Sequence, residues 1–320
     1  MANESSASAA RIPSTFIVAA ALFLAMLGLG SFLYVLHGNA EDVSFRGRSA
    51  IRWMVARWSG AGGDLSHGWL IPLVSAFVIW RKRGDFAAAD KQVYWLGLFV
   101  VAAALLLHLA GIRAQLTRVS LSSLILLLWG IPLFLFGRPT AKLLVFPCAY
   151  LFFCIPLSFL DSLTFPLRML ASATASFLLG GLGVPIVRVG TVIHSATPGG
   201  FALDVADACS GLRYVLAMLA LAAAYAYLTQ PTLARKWLLF AAALPVAVAA
   251  NVFRILAIGI VAQLFGEEAA VGLYHDYSGY IVFAIGILLV MSVGSLLESG
   301  ISRKLAAWRA RCRSRRTSPL

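Results

Sequence analysis

Ala208-Cys209-Ser210-Gly211-Leu212-Arg213 stands where a polar, strand-like segment ends and a long apolar run begins. Reading that run as a bilayer-crossing helix decides the fold and puts a thiol at a helix start on a membrane border. First-turn N–H groups carry partial positive charge, which favours thiolate over thiol. Asp204, Asp207, Ser210 and Arg213 surround the cysteine with polar groups, and Gly211 permits close approach to the helix start.

The rest of the chain supports a membrane setting. It has 320 residues, 61% hydrophobic and only 12% charged, with a mean hydropathy of +0.87. Soluble domains carry roughly 25% charged residues, so this chain has too little polar surface to be one. A net charge of +13 would suit nucleic acid, but the basic residues cluster at the ends of apolar runs, which argues against it. The four cysteines, Cys148, Cys154, Cys209 and Cys312, have neither disulfide-framework nor zinc spacing.

The pattern predicts an all-α polytopic membrane protein of about eight transmembrane helices, with an outer-face amphipathic helix and a short β-hairpin before Cys209. Residues 1–12 form a cytoplasmic tail, 13–297 a single integral membrane domain, and 298–320 a basic cytoplasmic tail. Residues 13–36 are long enough to cross ~30 Å of hydrocarbon at ~1.5 Å per residue, and an uncleaved first span is expected there. Arg46, Arg48, Arg52 and Arg57 alternate with Ile51, Trp53, Met54, Val55 and Trp58, as in a helix lying on a membrane surface. A second span opens after Ser66-His67-Gly68 and ends at Arg81-Lys82-Arg83, and others are expected at about 93–112, 119–137 and 142–160. Asp161, Pro166 and Arg168 make 161–183 a surface or re-entrant helix. Residues 184–207 are rich in Val, Ile and Thr, with Pro198-Gly199-Gly200 as a turn between two alternating runs, hence the hairpin. Spans at about 211–229, 236–258 and 279–297 complete the chain.

Eight spans leave both termini on one side. Placing that side in the cytoplasm puts 16 of the 26 basic residues inside, as positive residues in short loops require. The arginines of the first outer loop are the discordant cluster. On this topology Cys209, Arg254 and His275 reach one level at the outer face of the plasma (inner) membrane, facing the periplasm or exterior.

Each residue has a plainer reading beside the chemical one. A cysteine in an apolar chain is usually a small buried hydrophobe, which is how Cys148 and Cys154 are read. Arg254, in Asn251-Val252-Phe253-Arg254, is either a snorkelling anchor or a fork of donors for an oxyanion or carboxylate. An arginine at mid-span costs ~2.5 kcal/mol or more. His275, in Tyr274-His275-Asp276, is either a solvated loop residue or the group suited to proton exchange near neutral pH. His67 either lines the same cavity or caps its span. Ser210 lacks a Gly-x-Ser-x-Gly setting and reads as a helix N-cap or oxyanion neighbour. No His/Glu pair has metal-ligand spacing on one helix, and no cofactor is expected.

Taken in order, Ala208-Cys209-Ser210-Gly211-Leu212-Arg213, then Asn251-Val252-Phe253-Arg254, then His275 resemble the exosortase/archaeosortase family of membrane cysteine transpeptidases. Ser66-His67-Gly68 and Gly190-Thr191-Val192-Ile193 add to the likeness, which extends from about Ser66 to Leu297. The resemblance implies a Cys209–Arg254–His275 triad, with Ser210, Arg213, Asp207, Asn251 and His67 as substrate-binding or supporting residues. It implies substrates that are exported proteins with C-terminal sorting tails: a short motif such as Pro-Glu-Pro, a transmembrane helix and a basic end. A lipid or glycan amine of the envelope is an alternative acceptor to water. Many members carry a Trp-containing segment after the histidine, where this chain has Asp276-Tyr277-Ser278-Gly279. Two other classes compete: a multi-pass transporter or channel, and a non-catalytic assembly factor for envelope polysaccharide. The topology predicts that a membrane-impermeant thiol reagent labels Cys209 in intact cells and Cys312 only after the membrane is opened; gel-shift labelling checks both.

Overall fold

Inside a bilayer every backbone N–H and C=O must be satisfied within the protein, and long apolar runs do this as helices. The computed structural model describes residues 21, 25–26, 28–30, 32–36, 49–59, 66–156, 159–197, 200–204, 211–271 and 279–298, with backbone alone at 159–164, 204, 211–214 and 271. The chain forms two compact units, Met1–Pro156 and Leu157–Leu320.

The first unit holds a π-helical turn at Phe32–Leu36, then α1 (Ala50–Ser59), a 3-10 turn (Ser66–Trp69), α2 (Leu70–Arg81), α3 (Arg83–Ala88), α4 (Leu96–Arg113), α5 (Thr117–Tyr150) and a second 3-10 turn (Leu151–Cys154). The expected amphipathic helix of the first loop is α1. Protein, not lipid, covers its apolar face: Trp53 and Trp58 are buried, and Trp58 Nε1 donates to the carbonyl of Cys154 at 2.9 Å. Two arginines stack on the Trp53 ring, Arg57 at 5.3 Å and Arg118 at 5.9 Å. That accounts for part of the discordant charge of this loop, since cation–π pairing holds Arg57 in place without a cytoplasmic setting.

α4 and α5 pack closely because the seam is made of small residues. A Cβ on Gly97 would run into the Phe134 backbone, and one on Gly130 would lie 2.9 Å from Val100. Close backbone approach of this kind drives helix association where no hydrophobic force separates helix from lipid. Val101, Ala104, Leu127, Ile131 and Phe134 fill the core beside Tyr34. A buried polar clasp crosses the same core. The Tyr34 hydroxyl and Ser123 Oγ are 2.7 Å apart, His108 Nδ1 and Ser120 Oγ are 2.7 Å apart, and the Tyr34 and His108 rings lie 4.1 Å centre to centre.

At 34 residues α5 would be ~51 Å long if straight, well over the hydrocarbon thickness. It is not straight. Gly137 has φ 80° and ψ −174°, and Pro139 follows. Trp129 Nε1 donates to the Ala141 carbonyl at 2.9 Å, twelve residues on. A straight helix would separate them by ~18 Å. The chain therefore folds back at Gly137, where Gln92 lies against it and Arg138 covers the Tyr94 ring at 5.4 Å. The returning arm meets α2, whose Ser75 Oγ donates to the Pro147 carbonyl at 3.1 Å.

The second unit holds α6 (Phe159–Gly181), strands β1 (Ile186–Val189), β2 (Val192–Ser195) and β3 (Ala202–Asp204), then α7 (Gly211–Thr229), α8 (Leu233–Phe265), α9 (Glu267–Val271) and α10 (Gly279–Glu298). The strands make one antiparallel sheet in the order β1-β2-β3. The sequence pattern anticipates one hairpin; the structure has two in succession. The extra turn is Gly190-Thr191, with Val189 paired to Val192 and Gly190 at φ 65°. Only a positive-φ residue fits so tight a connection. A core of Ala171, Ala175, Ile193, Leu203, Val252 and Ala270 binds α6, the sheet, α8 and α9 together. A second core of Met218, Ala222, Leu239, Ala243 and Val290 joins α7, α8 and α10.

Among the described residues, four helices are long and apolar enough to cross a membrane: Leu96–Arg113, Thr117–Cys154, Leu233–Phe265 and Gly279–Glu298, with Val215–Thr229 as a shorter apolar helix. The structure supports a helical membrane protein and not the count of eight. Most of the expected first span lies outside the described residues. α2 has 12 residues, ~18 Å of helix, and the expected fourth and fifth spans form one folded-back element. Residues 161–183, expected as a surface or re-entrant helix, are not among those four helices. They form most of a continuous 23-residue helix, α6, and Leu179 lies so close along α8 that a Cβ on Gly259 would come within 2.8 Å of it.

Gly137→Ala should destabilise the protein by about 1–3 kcal/mol, because the φ/ψ pair is one that only glycine adopts freely and the new Cβ would sit 2.6 Å from the Gln92 carbonyl oxygen. A fall in the thermal midpoint of the detergent-solubilised protein measures it.

Candidate functional site

The site is organised by α8. Thr232 caps it, its hydroxyl accepting from the Arg235 N–H. Apolar residues then run almost unbroken to Asn251 and Arg254. These two lie three residues apart on one helix face, and both are buried, at 8% and 3% exposed. Phe253, between them, is 68% exposed and points elsewhere. Arg254 is therefore not the snorkelling anchor of the plainer sequence reading, since its side chain turns into the bundle.

Asn251 and Arg254 line a narrow crevice with Met218 of α7, Ala247 of α8, and Gly279 and Phe283 of α10. Small residues leave room there for a guanidinium, and Met218 is the pliable wall. Arg254 is the one ionisable side chain among the described residues of this crevice.

Helix register shows what else reaches that level. α7 and α8 are antiparallel, joined through residues 230–232, and Lys236 Nζ sits 4.5 Å over the Tyr227 ring near the joint. Counting along α8, Arg254 is 18 residues beyond Lys236, ~27 Å of helix. Counting back along α7, Gly211 is 16 residues before Tyr227, ~24 Å. Arg254 thus stands at the level where α7 begins. α10 begins there too, since its first residue, Gly279, lines the crevice.

Cys209, Ser210, Asp207 and His275 lie outside the described residues, and Arg213 is described by its backbone alone. Chain length bounds their reach: Cys209 is two residues from Gly211, at most about 7 Å, and His275 is four from Gly279, at most about 14 Å. The segments carrying them also share an anchor. The Ala202 N–H of β3 donates to Glu267 Oε2 of α9 at 3.3 Å. β3 leads toward Cys209 and α9 toward His275. Sequence reasoning missed Glu267; its signal was the acidic pair Glu267-Glu268 directly after Gly266, which has φ 88° and ends α8.

On the far face of α8 runs an apolar groove of about 500 Å³, lined by Leu170, Thr174 and Leu178 of α6 and Pro245, Val252 and Phe253 of α8.

His67 belongs to the first unit. Its 3-10 turn is locked by Trp58, whose indole fills the space a Cβ on Gly68 would need and meets Trp69 edge to face at 5.1 Å. Burial lowers the His67 pKa, and a hydrogen bond to the Phe153 backbone opposes that in part. Nε2 is buried without a hydrogen-bond partner among the described residues. Of the other histidines, His108 is 1% exposed and part of the polar clasp, a role that its place in an apolar run did not reveal.

The family model of the transmembrane exosortase, Exosortase_EpsH, matches residues 53–292. No curated protein and no solved structure matches the chain.

His67 gives a pH test. Its pKa is lowered by folding, so below the ordinary histidine value of about 6.5 the unfolded chain binds more protons and stability falls as pH falls. His67→Gln should therefore lose less thermal stability than the unsubstituted protein between pH 7.5 and 5.5, read from melting in detergent.

Proposed function

The chain belongs to the transmembrane exosortase family, and from that premise we propose that it is an outer-face cysteine protease-transpeptidase acting on C-terminal sorting tails of exported proteins. Its substrates carry a short motif such as Pro-Glu-Pro, a transmembrane helix and a basic end. Cleavage releases the tail, and the exported protein passes to water or to an amine of an envelope lipid or glycan. The observation that carries this reading is the shared level of two helix starts, α7 just after Cys209 and α10 just after His275, with buried Arg254 in the crevice.

The chemistry follows from the residue types. Cys209 gives its proton to His275, and the thiolate attacks the scissile carbonyl carbon. The tetrahedral oxyanion faces Arg254, whose guanidinium presents a planar fork of donors. Losing one such donor costs ~2.7–4 kcal/mol, or about 10²–10³ in kcat. The C–N bond breaks as the His275 imidazolium protonates the leaving amine, leaving a thioester on Cys209. His275 then takes a proton from the attacking water or amine, and the thioester C–S bond breaks to regenerate the thiolate. The α7 dipole favours that thiolate. Ser210 caps α7 or adds a donor to the oxyanion, and Arg213 pairs with a substrate glutamate or with Asp207. A tail helix held beside the spans makes attack effectively unimolecular, which is where much of the rate advantage arises.

Co-expression with a tagged substrate carrying such a tail tests the proposal. Cys209→Ala and His275→Ala abolish the size shift of the substrate, and Arg254→Ala slows it by about 10²–10³. Normal processing by Cys209→Ala removes the thiol mechanism, and normal processing by Arg254→Ala removes the oxyanion clamp. Mass spectrometry of the new C-terminus identifies the cleaved bond and the acceptor.

A further inference from the structure

Three separate segments of the first unit carry cations to one end of its helices. Arg81, Lys82 and Arg83 lie where α2 passes into α3, Lys91 lies in the link before α4, and Arg138 and Lys142 follow the bend of α5 at Gly137. Contacts hold these segments together. The link is pinned to the bend: the Tyr94 N–H donates to the Phe134 carbonyl at 2.9 Å, and Gln92 lies against Gly137. α2 runs antiparallel to the returning arm of α5, since His67, just before α2, bonds to the Phe153 backbone and Ser75 donates to the Pro147 carbonyl. Arg81 is six residues beyond Ser75, ~9 Å of helix, and Lys142 is five before Pro147, ~8 Å. The two are therefore level, and α3, which begins with Arg83, packs against α5. This level is also a border of hydrocarbon. α4 (Leu96–Arg113) and the first arm of α5 (117–136) both end here, and each is ~27–30 Å long, the thickness of a bilayer core.

We propose that this collar is a binding site for an anionic phospholipid, its phosphate held among the converging cations and its acyl chains laid on the apolar surface beside them. Six cations against two carboxylates, Asp85 and Asp90, leave the collar positive, and Asp90 accepts from Gln92 Nε2 at 2.8 Å. Two guanidiniums are steadied by rings: Arg83 lies 4.6 Å over Trp80 and Arg138 5.4 Å over Tyr94. A planar guanidinium held in this way suits phosphate oxygens, which it takes in pairs. On the hydrocarbon side the surface turns apolar at once, with Phe77 and Trp80 of α2 and Trp95, Leu96 and Phe99 at the start of α4 all exposed. A nucleic acid or an acidic peptide would match the cations and not that apolar wall. A ligand with phosphate at one end and hydrocarbon at the other matches both. Membrane orientation alone accounts for basic residues at helix ends; it requires neither ring-held arginines nor the meeting of three segments at one bend. A lipid seated there would brace the fold-back of α5 against α2.

The test titrates the full-length protein in detergent with phosphatidylglycerol, with phosphatidylcholine of the same acyl chains, and with inorganic phosphate, and native mass spectrometry counts the bound molecules. Phosphatidylglycerol is expected to bind about tenfold or more tighter than phosphatidylcholine, with no retention of phosphate at the same concentration. Lys91→Gln combined with Lys142→Gln should weaken phosphatidylglycerol binding about 25-fold, at about fivefold for each cation removed near the membrane surface. Both lysines are exposed, so this variant keeps the fold, and melting in detergent checks that it does. Arg138→Gln reads the ring-held cation separately and should cost about fivefold. Arg235→Gln combined with Lys236→Gln, at the start of α8, should leave the affinity within twofold. Equal binding of the two lipids overturns the proposal and leaves only a solvating lipid shell. Retention of phosphate by itself overturns the lipid and makes the collar a free-phosphate site. Equal losses from the two double variants overturn the location, since they report general surface charge. The readout is binding and needs no turnover, so it stands apart from the cysteine mechanism.

Discussion

The Arg254 guanidinium is buried in a 33-residue, mostly apolar helix, and much of the second unit packs against that helix. Taking such a charge out of water is expensive, and the expense is tolerated where the group faces a protein interior. Asn251 is its polar neighbour on the same face, while Ala247, Ala250 and Gly279 leave space and Met218 adapts to the remainder. The opposite face of α8 is free to be greasy: Phe253, one position away, is largely exposed. A single helix thus separates an interior crevice that holds Asn251 and Arg254 from an apolar groove against α6.

Close helix approach makes the rest possible. In the first unit Gly97 and Gly130 bring α4 and α5 together. In the second unit Ala222, Ala226, Ala243 and Ala247 line the α7–α8 seam, and Gly259 admits Leu179. Where no hydrophobic force drives one helix onto another, the dispersion gained by such contact is a main source of association. The same close packing fixes axial register, and register is what aligns Arg254 with the beginnings of α7 and α10. The sheet serves that alignment from outside the bundle: Ile193 and Leu203 share a core with Val252 and Ala270, and Glu267 holds β3 by its edge.

Much of this was legible in the residues. Composition and run length gave a helical membrane chain, because hydrocarbon admits little else. The strand character of 184–207 was legible from β-branched alternation, and the helix at Ala50–Ser59 from its mixture of arginine and aromatic residues. Ordered motifs around Cys209, Arg254 and His275 gave the family. Other features were hidden by the same physics. Residues 117–150 are apolar throughout, so hydropathy cannot say where one arm ends; Gly137 does, through a backbone conformation and not through polarity. The Gly190-Thr191 turn hid inside a run of valines and isoleucines for a similar reason. Trp53 and Trp58 look equally suited to lipid and to a protein core, and only packing partners distinguish the two.

The sequence by itself determined the chemistry on offer: a thiol, a guanidinium and an imidazole at the borders of apolar runs, in a chain that must span a membrane, because residue type and run length are local properties. Tertiary structure alone decided that Arg254 turns inward with Asn251 instead of outward to headgroups. It also decided that Glu267 ties β3 to α9 and that His108 Nδ1 pairs with Ser120. These depend on which helix faces which, and at what register, and a one-dimensional pattern of apolar residues is nearly uniform around helices that lipid and protein solvate almost equally well.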